Sequence, residues 1–308
     1  MSLHVITGAG GTGSPTALLL AEAGENVRLI SRRGSGPQHP LIERVAADAS
    51  DADRLTALTR GAASLINTAM PPYDRWPAEF PTLAAALLTA AERTGAGYVM
   101  MGNTYGYGQV NGRFTEDLPM APVSVKGKVR AQMWSDALAS HQAGRARVTE
   151  VRASAFLGAG AGSLYNFTVP PLVLAGEPAA FPGDLDVPKT WSYLGDVART
   201  LMAVTQDDRS WGRAWHVPST AMISVRDLTV RLTEIAGAPA PDLQPMSTAE
   251  LAAIGQTSPI MAEVIEMMYS LDNPDLLDST VTEQTFGLSA TPIDDVLAET
   301  VKAFSPHA

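Results

Sequence analysis

The chain has 308 residues and a mass of 32.4 kDa, enough to bury a large core without a disulfide or metal staple. Its net charge of −10 argues against a nucleic-acid partner, and the absence of cysteine excludes disulfides, a thiolate nucleophile and a cysteine metal site. Five scattered histidines show no ligand spacing, so we expect no metal.

The N-terminal sequence MSLHVITGAG begins with a strand rather than a signal peptide, and the longest apolar stretches are shorter than a membrane span. We therefore expect a cytoplasmic protein with no membrane partner. Short apolar runs then alternate with helical runs through the first half, at 3–6, 16–24, 27–31, 52–61, 64–69, 80–95 and 98–103. Apolar strands alternating with helices predict a parallel sheet covered on both faces, which is a doubly wound α/β Rossmann fold.

The second half continues this pattern and then loses it. A helix-like run at 128–143 and a strand at 147–158 precede residues 158–189, whose glycines, prolines and aromatics indicate loop and pocket wall rather than core. We predict a Rossmann domain over 1–165, to which 190–220 return. A small, mostly helical C-terminal substrate lobe is predicted over 221–308, with loop 166–189 contributing to it.

The segment TGAGGTGSP at 7–15 joins the first strand to the first helix. Its glycines lie where the chain must turn sharply and let backbone N–H groups approach a pyrophosphate. A GxGxxG pattern in this context predicts a dinucleotide site formed by Gly8, Gly10, Gly11, Thr12 and Gly13.

The second strand ends in Ser31, Arg32 and Arg33, where an acidic residue would bind the ribose 2′-OH of NAD. Guanidinium groups match a 2′-phosphate, so these residues predict NADP(H). Asp48 follows the third strand, where an adenine contact is expected. The fourth strand ends over the expected cofactor crevice with Thr68, Ala69 and Met70.

Six segments in order resemble the extended and atypical branch of the short-chain dehydrogenase/reductase superfamily, which contains NAD(P)-dependent epimerases, dehydratases and reductases. They are TGAGGTG, NTAMP, the YGYG to FTEDLPMAP stretch, VRASAFLGAG, WSYLGDVARTL at 191–201 and HVPSTAMISVRDL at 216–228. The resemblance covers most of the chain. One departure is that Ser14 occupies the last glycine position of the branch's TGxxGxxG pattern.

The second departure is catalytic. The family's Tyr-x-x-x-Lys motif aligns with Ser124 and Lys128, so the lysine is kept and the tyrosine is lost; its serine or threonine position aligns with Asn103, next to Thr104. A serine hydroxyl is too weak an acid to replace the phenol. The resemblance therefore implies that Lys128, which also holds the cofactor, gives the proton through water, or that Tyr105 supplies a phenol. A register shifted by two would instead bring in Lys126.

Aromatic side chains on segments expected to overhang the cofactor suit an apolar substrate, namely Tyr107, Tyr165, Phe167, Trp191 and Tyr193. We therefore expect an NADPH-dependent reductase of a carbonyl or imine in a small, fairly apolar organic molecule. Two alternatives stay open: a non-catalytic NADP(H)-binding regulator or redox sensor, and a sugar-nucleotide epimerase or dehydratase. A redox-neutral reaction is also open, and the resemblance makes a homodimer possible.

Overall fold

The computed structural model describes residues 1–304. Its strands are β1 Leu3–Thr7, β2 Asn26–Ser31, β3 Ile42–Ala46, β4 Ser64–Asn67, β5 Gly97–Asn103, β6 Arg113–Phe114, β7 Val148–Ala153, β8 Ala155–Leu157, β9 Ala179–Pro182, β10 Lys189–Tyr193, β11 Ala214–His216, β12 Ala221–Ile223, β13 Leu243–Met246 and β14 Leu276–Leu277.

The helices are α1 Gly13–Glu22, α2 Ala52–Thr59, α3 Trp76–Thr94, α4 Val125–Gln142, α5 Leu164–Thr168, α6 Pro170–Val173, α7 Leu194–Gln206, α8 Val225–Ala236, α9 Thr248–Gly255, α10 Pro259–Ala262, α11 Met268–Leu271, α12 Thr280–Phe286 and α13 Ile293–Phe304. Short 3-10 turns cover Tyr73–Arg75, Tyr105–Tyr107, Asp208–Ser210 and Ile265–Met267. In the described part of the chain no helix is long and apolar enough to cross a membrane.

Seven strands form one parallel sheet in the order β11-β7-β5-β4-β1-β2-β3. Successive strand side chains point to opposite faces, so each face has its own core. Val5, Leu65 and Tyr98 pack under α2, α3 and α4, while Ile6, Ile66 and Val99 pack under α1 and α7. The predicted doubly wound fold is therefore confirmed, and all carboxyl ends of the strands meet at one edge.

The expectation of a coreless loop over 158–189 is wrong. This segment forms α5, α6 and β9, and its side chains Tyr165, Val169 and Phe181 join a buried cluster with Val225 and Leu228 of α8. Prolines at the start of α6 fit there because the first helical N–H groups need no partner. The segment after it, β10, pairs with β8 and β12 rather than with the main sheet.

Most of the chain beyond residue 220 is helical, and α8 packs against α13. Its few strands attach it to the rest of the molecule: β13 pairs with β9, and β14 pairs with β6. The β14 to β6 pairing brings the turn at 272–275 close to the carboxyl end of β5. Residues 305–308 of the predicted lobe lie outside the described residues.

Candidate functional site

The loop between β1 and α1 is tight at two glycines and open at a third. Gly8 has φ +95°, and a Cβ on it would lie 2.7 Å from the Ala69 nitrogen. A Cβ on Gly13 would lie 1.9 Å from the Gly8 oxygen, whereas one on Gly10 would meet no atom within 4 Å. The loop is therefore packed on its inner side and leaves Gly10 free for a phosphate group to approach.

The remaining residues of this loop explain how it tolerates a serine at position 14. The Ser14 hydroxyl donates to the Ala9 oxygen at 3.0 Å, so its side chain is used within the loop. Thr12 caps α1 through its backbone alone, without a side-chain hydrogen bond. Gly11 passes close to the residues after β8, since its Cβ would lie 2.8 Å from the Gly160 oxygen.

The end of β4 is joined to the loop by hydrogen bonds. The Thr68 hydroxyl donates to the Thr7 oxygen at 2.8 Å and lies 3.0 Å from the Gly8 oxygen. Asn67 Oδ1 accepts from the Ala69 nitrogen at 3.1 Å, and Met70 beyond it is exposed. The structure thus brings together the predicted residues of the loop and of the β4 end in one crevice.

The end of β2 presents two free arginines. Arg32 and Arg33 are exposed, and within residues 1–304 neither forms an ion pair. The Ser31 hydroxyl is engaged with Ser35 of the following turn, accepting from its nitrogen at 2.8 Å. Asp48 is exposed beyond β3 and accepts from the Ser50 nitrogen at 2.9 Å. The edge therefore offers cationic groups beside the crevice.

The expectation that Lys128 faces this crevice is wrong. Lys128 is exposed and forms no side-chain hydrogen bond or ion pair with the described residues. The buried face of α4 carries Lys126, Arg130 and Met133 instead, and a residue two positions from Lys126 lies on the far side of a helix of 3.6 residues per turn. Ser124 is the N-cap of α4, and its hydroxyl accepts from the Gly127 nitrogen at 3.0 Å.

Lys126 is fully buried at the start of α4. Its ammonium group donates to Glu263 and, at 2.7 Å, to Glu266 Oε1, both from the turn around α10. The same ammonium lies 4.5 Å from the centre of the Tyr73 ring. Glu266 also accepts from the Val125 nitrogen at 2.7 Å, so the C-terminal region is held directly onto the start of α4.

Arg130 lies one helical turn after Lys126, also buried. It donates to the Met101 oxygen of β5 at 3.0 Å, and its guanidinium stacks 4.6 Å from Trp76 and 4.5 Å from Phe80. Burial lowers the pKa of Arg130 to about 10, and the group stays charged at neutral pH. Lys126 and Arg130 are four residues apart, as are the tyrosine and lysine of the Tyr-x-x-x-Lys motif, so a cation occupies both positions.

A phenol stands beside these two cations, on the turn after β5. Tyr105 is partly buried, and its oxygen accepts a hydrogen bond from the Tyr73 hydroxyl at 3.4 Å. Burial raises the pKa of Tyr105, while the hydrogen bond from Tyr73 and the charges of Arg130 and Lys126 oppose that rise. Its own O–H remains free to donate, so the arrangement can deliver a proton and stabilise the phenolate that results.

Asn103 and Thr104 lie directly before Tyr105 and shape its turn. Asn103 Oδ1 accepts from the Tyr105 nitrogen at 3.2 Å. Thr104 is buried as the first residue of the turn, and it also lines a cleft beside Tyr105.

Tyr107 is not placed to touch a substrate. It is fully buried, with Arg152 Nη1 donating to its hydroxyl at 2.6 Å and His216 Nε2 at 2.7 Å from the same oxygen. Arg152 in turn pairs with the buried Glu150 at 2.6 Å. Tyr107 therefore completes a structural polar network between β7 and β11.

The other predicted substrate aromatics differ in burial. Tyr165 and Trp191 are core residues whose rings meet at 5.1 Å. Tyr193 is half-buried and donates to Glu299 of α13, while Phe167 is 71% exposed. The positions of Tyr165 and Trp191 follow from packing in the C-terminal half, which a count of aromatics along the chain does not reveal.

A cleft adjoins Tyr105 at the carboxyl end of β5. Its walls include residues from the β5 turn and from the C-terminal region: Thr104, Tyr105, Phe114, Tyr269, Asn273 and Asp275. Sequence reasoning missed Tyr269 and Asp275, because no local motif marks them and tertiary contacts bring them to the site, among them the β14 to β6 pairing and the hydrogen bonds of Glu266 to the start of α4. No group of three or more His, Asp or Glu in residues 1–304 could hold a metal ion.

The class of protein follows from this fold and from comparison with known proteins. Residues 4–217 match the profile of the NAD dependent epimerase/dehydratase family. The match covers more than half of the chain, so the protein belongs to this family, and the resemblance found in the sequence is confirmed. No curated protein matches the sequence.

Solved structures with the same fold include enzymes of sugar-nucleotide metabolism. The dTDP-glucose 4,6-dehydratase of Bacillus anthracis, in complex with NAD, is 17% identical over 100% of this chain and 97% of that chain, with TM-score 0.80. The UDP-glucuronic acid 4-epimerase of Bacillus cereus, also with NAD, is 15% identical over 98% of both chains, with TM-score 0.80. WbmH of Bordetella bronchiseptica, with NAD+, is 18% identical over 100% of both chains, with TM-score 0.75.

Proposed function

We propose that the protein is an NADP(H)-dependent oxidoreductase of this family that reduces a carbonyl group in a small organic molecule. The observation that carries the proposal is the position of Tyr105, a free phenolic O–H beside a cleft with two buried cations behind it. A bound nicotinamide supplies the hydride. This chain's own residues must then position the carbonyl and provide the proton that its oxygen takes up.

Tyr105 is the proton donor in this account. As the hydride reaches the carbonyl carbon, the phenolic proton moves to the carbonyl oxygen and leaves a phenolate. Lys126 and Arg130 stabilise that phenolate by charge, and Tyr73 stabilises it by its hydrogen bond. These residues are already fixed by Glu266, Met101 and Trp76, so little reorganisation accompanies the transfer.

The crevice fits a dinucleotide through groups of this chain. Gly10 gives a pyrophosphate room to approach the start of α1, and Thr68 fixes the loop beside it. Arg32 and Arg33 would hold a 2′-phosphate, because their guanidinium groups are free and no carboxylate ends β2 to bind a ribose diol. NADP(H) is therefore the cofactor we propose.

The charge of the C-terminal region supports a substrate without a diphosphate. Residues 221–304 contain 13 Asp and Glu but only three Arg and Lys, so the whole net charge of −10 lies there. Two of the three cations are paired, Arg226 with Asp186 at 2.7 Å and Arg231 with Asp294 at 2.6 Å. A nucleotide diphosphate would meet repulsion from this region rather than attraction.

A sugar-nucleotide epimerase or dehydratase is the second candidate. The family and the solved structures described above favour it, and its hydride transfer would use the same phenol. Such a reaction returns the hydride to the substrate, so the reduced cofactor is not consumed.

The experiment is NADPH oxidation by the purified protein against ketones, aldehydes and imines, with nucleotide sugars analysed in parallel for isomerised or dehydrated products. Turnover of a carbonyl compound that is abolished by Tyr105→Phe supports the reductase. Conversion of a nucleotide sugar without net NADPH oxidation supports the second candidate. Tight NADPH binding with neither reaction points to a regulator and contradicts both enzymes.

A further inference from the structure

Asp275 lines the cleft beside Tyr105 and has one buried carboxylate oxygen without a hydrogen-bond partner among the described residues. The residue is 7% exposed. Its Oδ2 accepts from the Ser154 hydroxyl, whereas its buried Oδ1 has no hydrogen-bond partner among the described residues. Its backbone is fixed on both sides, since its nitrogen donates to the Pro188 oxygen at 3.1 Å and its oxygen accepts from Thr190 at 2.7 Å.

No positive side chain lines this cleft. Besides Asp275, its lining has three rings, those of Tyr105, Tyr269 and Phe114, together with uncharged polar side chains and the apolar side chains of Val110 and Pro274. Burial raises the pKa of Asp275, and the hydrogen bond from Ser154 and the charge of Lys189 oppose that rise. The Lys189 ammonium itself donates to the Ser270 oxygen at 2.6 Å and to the Asn273 oxygen. The carboxylate is therefore left without a direct counter-ion.

A buried carboxylate oxygen without a donor is costly, and a ligand that brings both a donor and a positive charge removes that cost. Aromatic rings add to the attraction of an organic cation and disfavour an anion. The acidic C-terminal region also favours binding of a cation, since its negative charge raises the local concentration of cations.

We propose that this cleft recognises an organic cation, and that the substrate is a carbonyl compound that also carries a protonated amine. The ammonium donates to Asp275 Oδ1, and the carbonyl lies toward Tyr105. In the reaction a hydride adds to the carbonyl carbon, the C=O π bond breaks, and the oxygen takes the Tyr105 proton, while the ammonium is unchanged. This inference rests on the proposed function, because it assumes that the cleft beside Tyr105 binds the substrate of a reductase.

The test is calorimetric binding to the protein saturated with NADP+, using a matched set of ketones. 4-Piperidone is protonated on nitrogen, tetrahydropyran-4-one has the same ring without charge, and 4-hydroxycyclohexanone offers a neutral donor. We expect the cation to bind at least about tenfold more tightly than the neutral ether, a difference of about 1.4 kcal/mol. Equal binding of all three by the wild-type protein would overturn the inference without any variant.

Asp275→Asn separates charge from hydrogen bonding, because asparagine keeps an acceptor oxygen. We expect this variant to lose the preference for 4-piperidone over the neutral ketones, while its affinity for NADPH stays unchanged. A preference for 4-hydroxycyclohexanone that survives in Asp275→Asn would assign the oxygen to a hydroxyl group and overturn the cation. Turnover of neutral ketones with no preference for a charged substrate would support the proposed reductase function and overturn only this inference.

Discussion

Lys126 and Arg130 lie one turn apart on the buried face of α4, and both charges act on the same phenol, Tyr105. The family's tyrosine and lysine have this spacing, with the lysine lowering the pKa of its neighbour. Here a cation occupies both positions on the helix, and a phenol lies on the turn after β5. The proposed proton donor and the cations beside it thus come from different elements.

Replacement of Lys126 by methionine tests this arrangement, with Lys128→Met as the matched control. Because the Lys126 charge lowers the pKa of Tyr105, its loss should move the basic limb of the kcat profile to higher pH and lower kcat by about tenfold or more. Lys128 is exposed on the other face of α4, so its loss should change neither the pH of the basic limb nor kcat. Thermal unfolding is measured alongside, since Glu263 and Glu266 lose their partner. An effect of Lys128→Met equal to that of Lys126→Met would contradict the assignment.

Replacement of Tyr105 by phenylalanine should lower kcat by about 100-fold or more, the usual contribution of a positioned general acid. NADPH affinity should stay the same, because the phenol acts on the substrate. Tyr73→Phe removes only one hydrogen bond to the Tyr105 oxygen and should cost about tenfold. Steady-state kinetics with fluorescence titration of NADPH checks both variants. Undiminished turnover by Tyr105→Phe would exclude it as the acid.

Two alanine substitutions in the loop after β1 should have opposite effects. Gly13→Ala places a methyl group 1.9 Å from the Gly8 oxygen and 2.4 Å from Thr68 Oγ1, so it should destabilise the fold by about 2 kcal/mol or more. Gly10→Ala meets no protein atom and should leave the unfolding temperature unchanged while weakening NADPH binding about tenfold. Unfolding curves and cofactor titrations separate the two. Unaltered NADPH affinity in Gly10→Ala would mean that the loop does not approach the cofactor.

His216 should make the protein less stable in mild acid. Burial lowers its pKa to about 4 from an ordinary 6.5. As pH falls below 6.5 the unfolded chain takes up a proton that the folded protein refuses, so the free energy of unfolding falls until the folded pKa is reached. Between pH 7 and pH 5 this amounts to about 2 kcal/mol.

Urea unfolding at several pH values checks this, with His216→Gln as the comparison. The buried His4 has a lowered pKa and acts in the same direction, but it is common to both proteins. The variant should therefore lose less stability than the wild type over this interval. Parallel pH curves for the two proteins would show that His216 titrates normally.

The fold could be predicted because its signals are local. Strand and helix alternation, and the glycines between β1 and α1, are read within a few residues of one another, and the sheet order confirms what they predict. The irregular pattern over 158–189 led to the wrong prediction of a loop without core residues. Short helices with prolines and aromatics can still contribute to a core, as Tyr165 and Phe181 do.

The site was harder to predict because its parts come from distant segments. Counting from the degenerate motif selected Lys128, and only the buried face of α4 reveals that Lys126 is the inward residue. Tyr269 and Asp275 lie more than 160 residues after Tyr105, and only tertiary contacts bring them to it. Tyr107 and Trp191 attracted attention as aromatics, yet large aromatic side chains are as well suited to a core.

The cofactor assignment is tested most directly by titrating the wild-type protein, Arg32→Ala/Arg33→Ala and Arg60→Ala with NADPH and NADH. Arg60 is an exposed arginine at the end of α2, at the opposite edge of the sheet, and serves as the charge control. The account predicts that NADPH binds the wild-type protein at least about tenfold more tightly than NADH, that the double variant loses this preference, and that Arg60→Ala keeps it. Equal affinity for the two cofactors, or an NADPH affinity unchanged in the double variant, would contradict it.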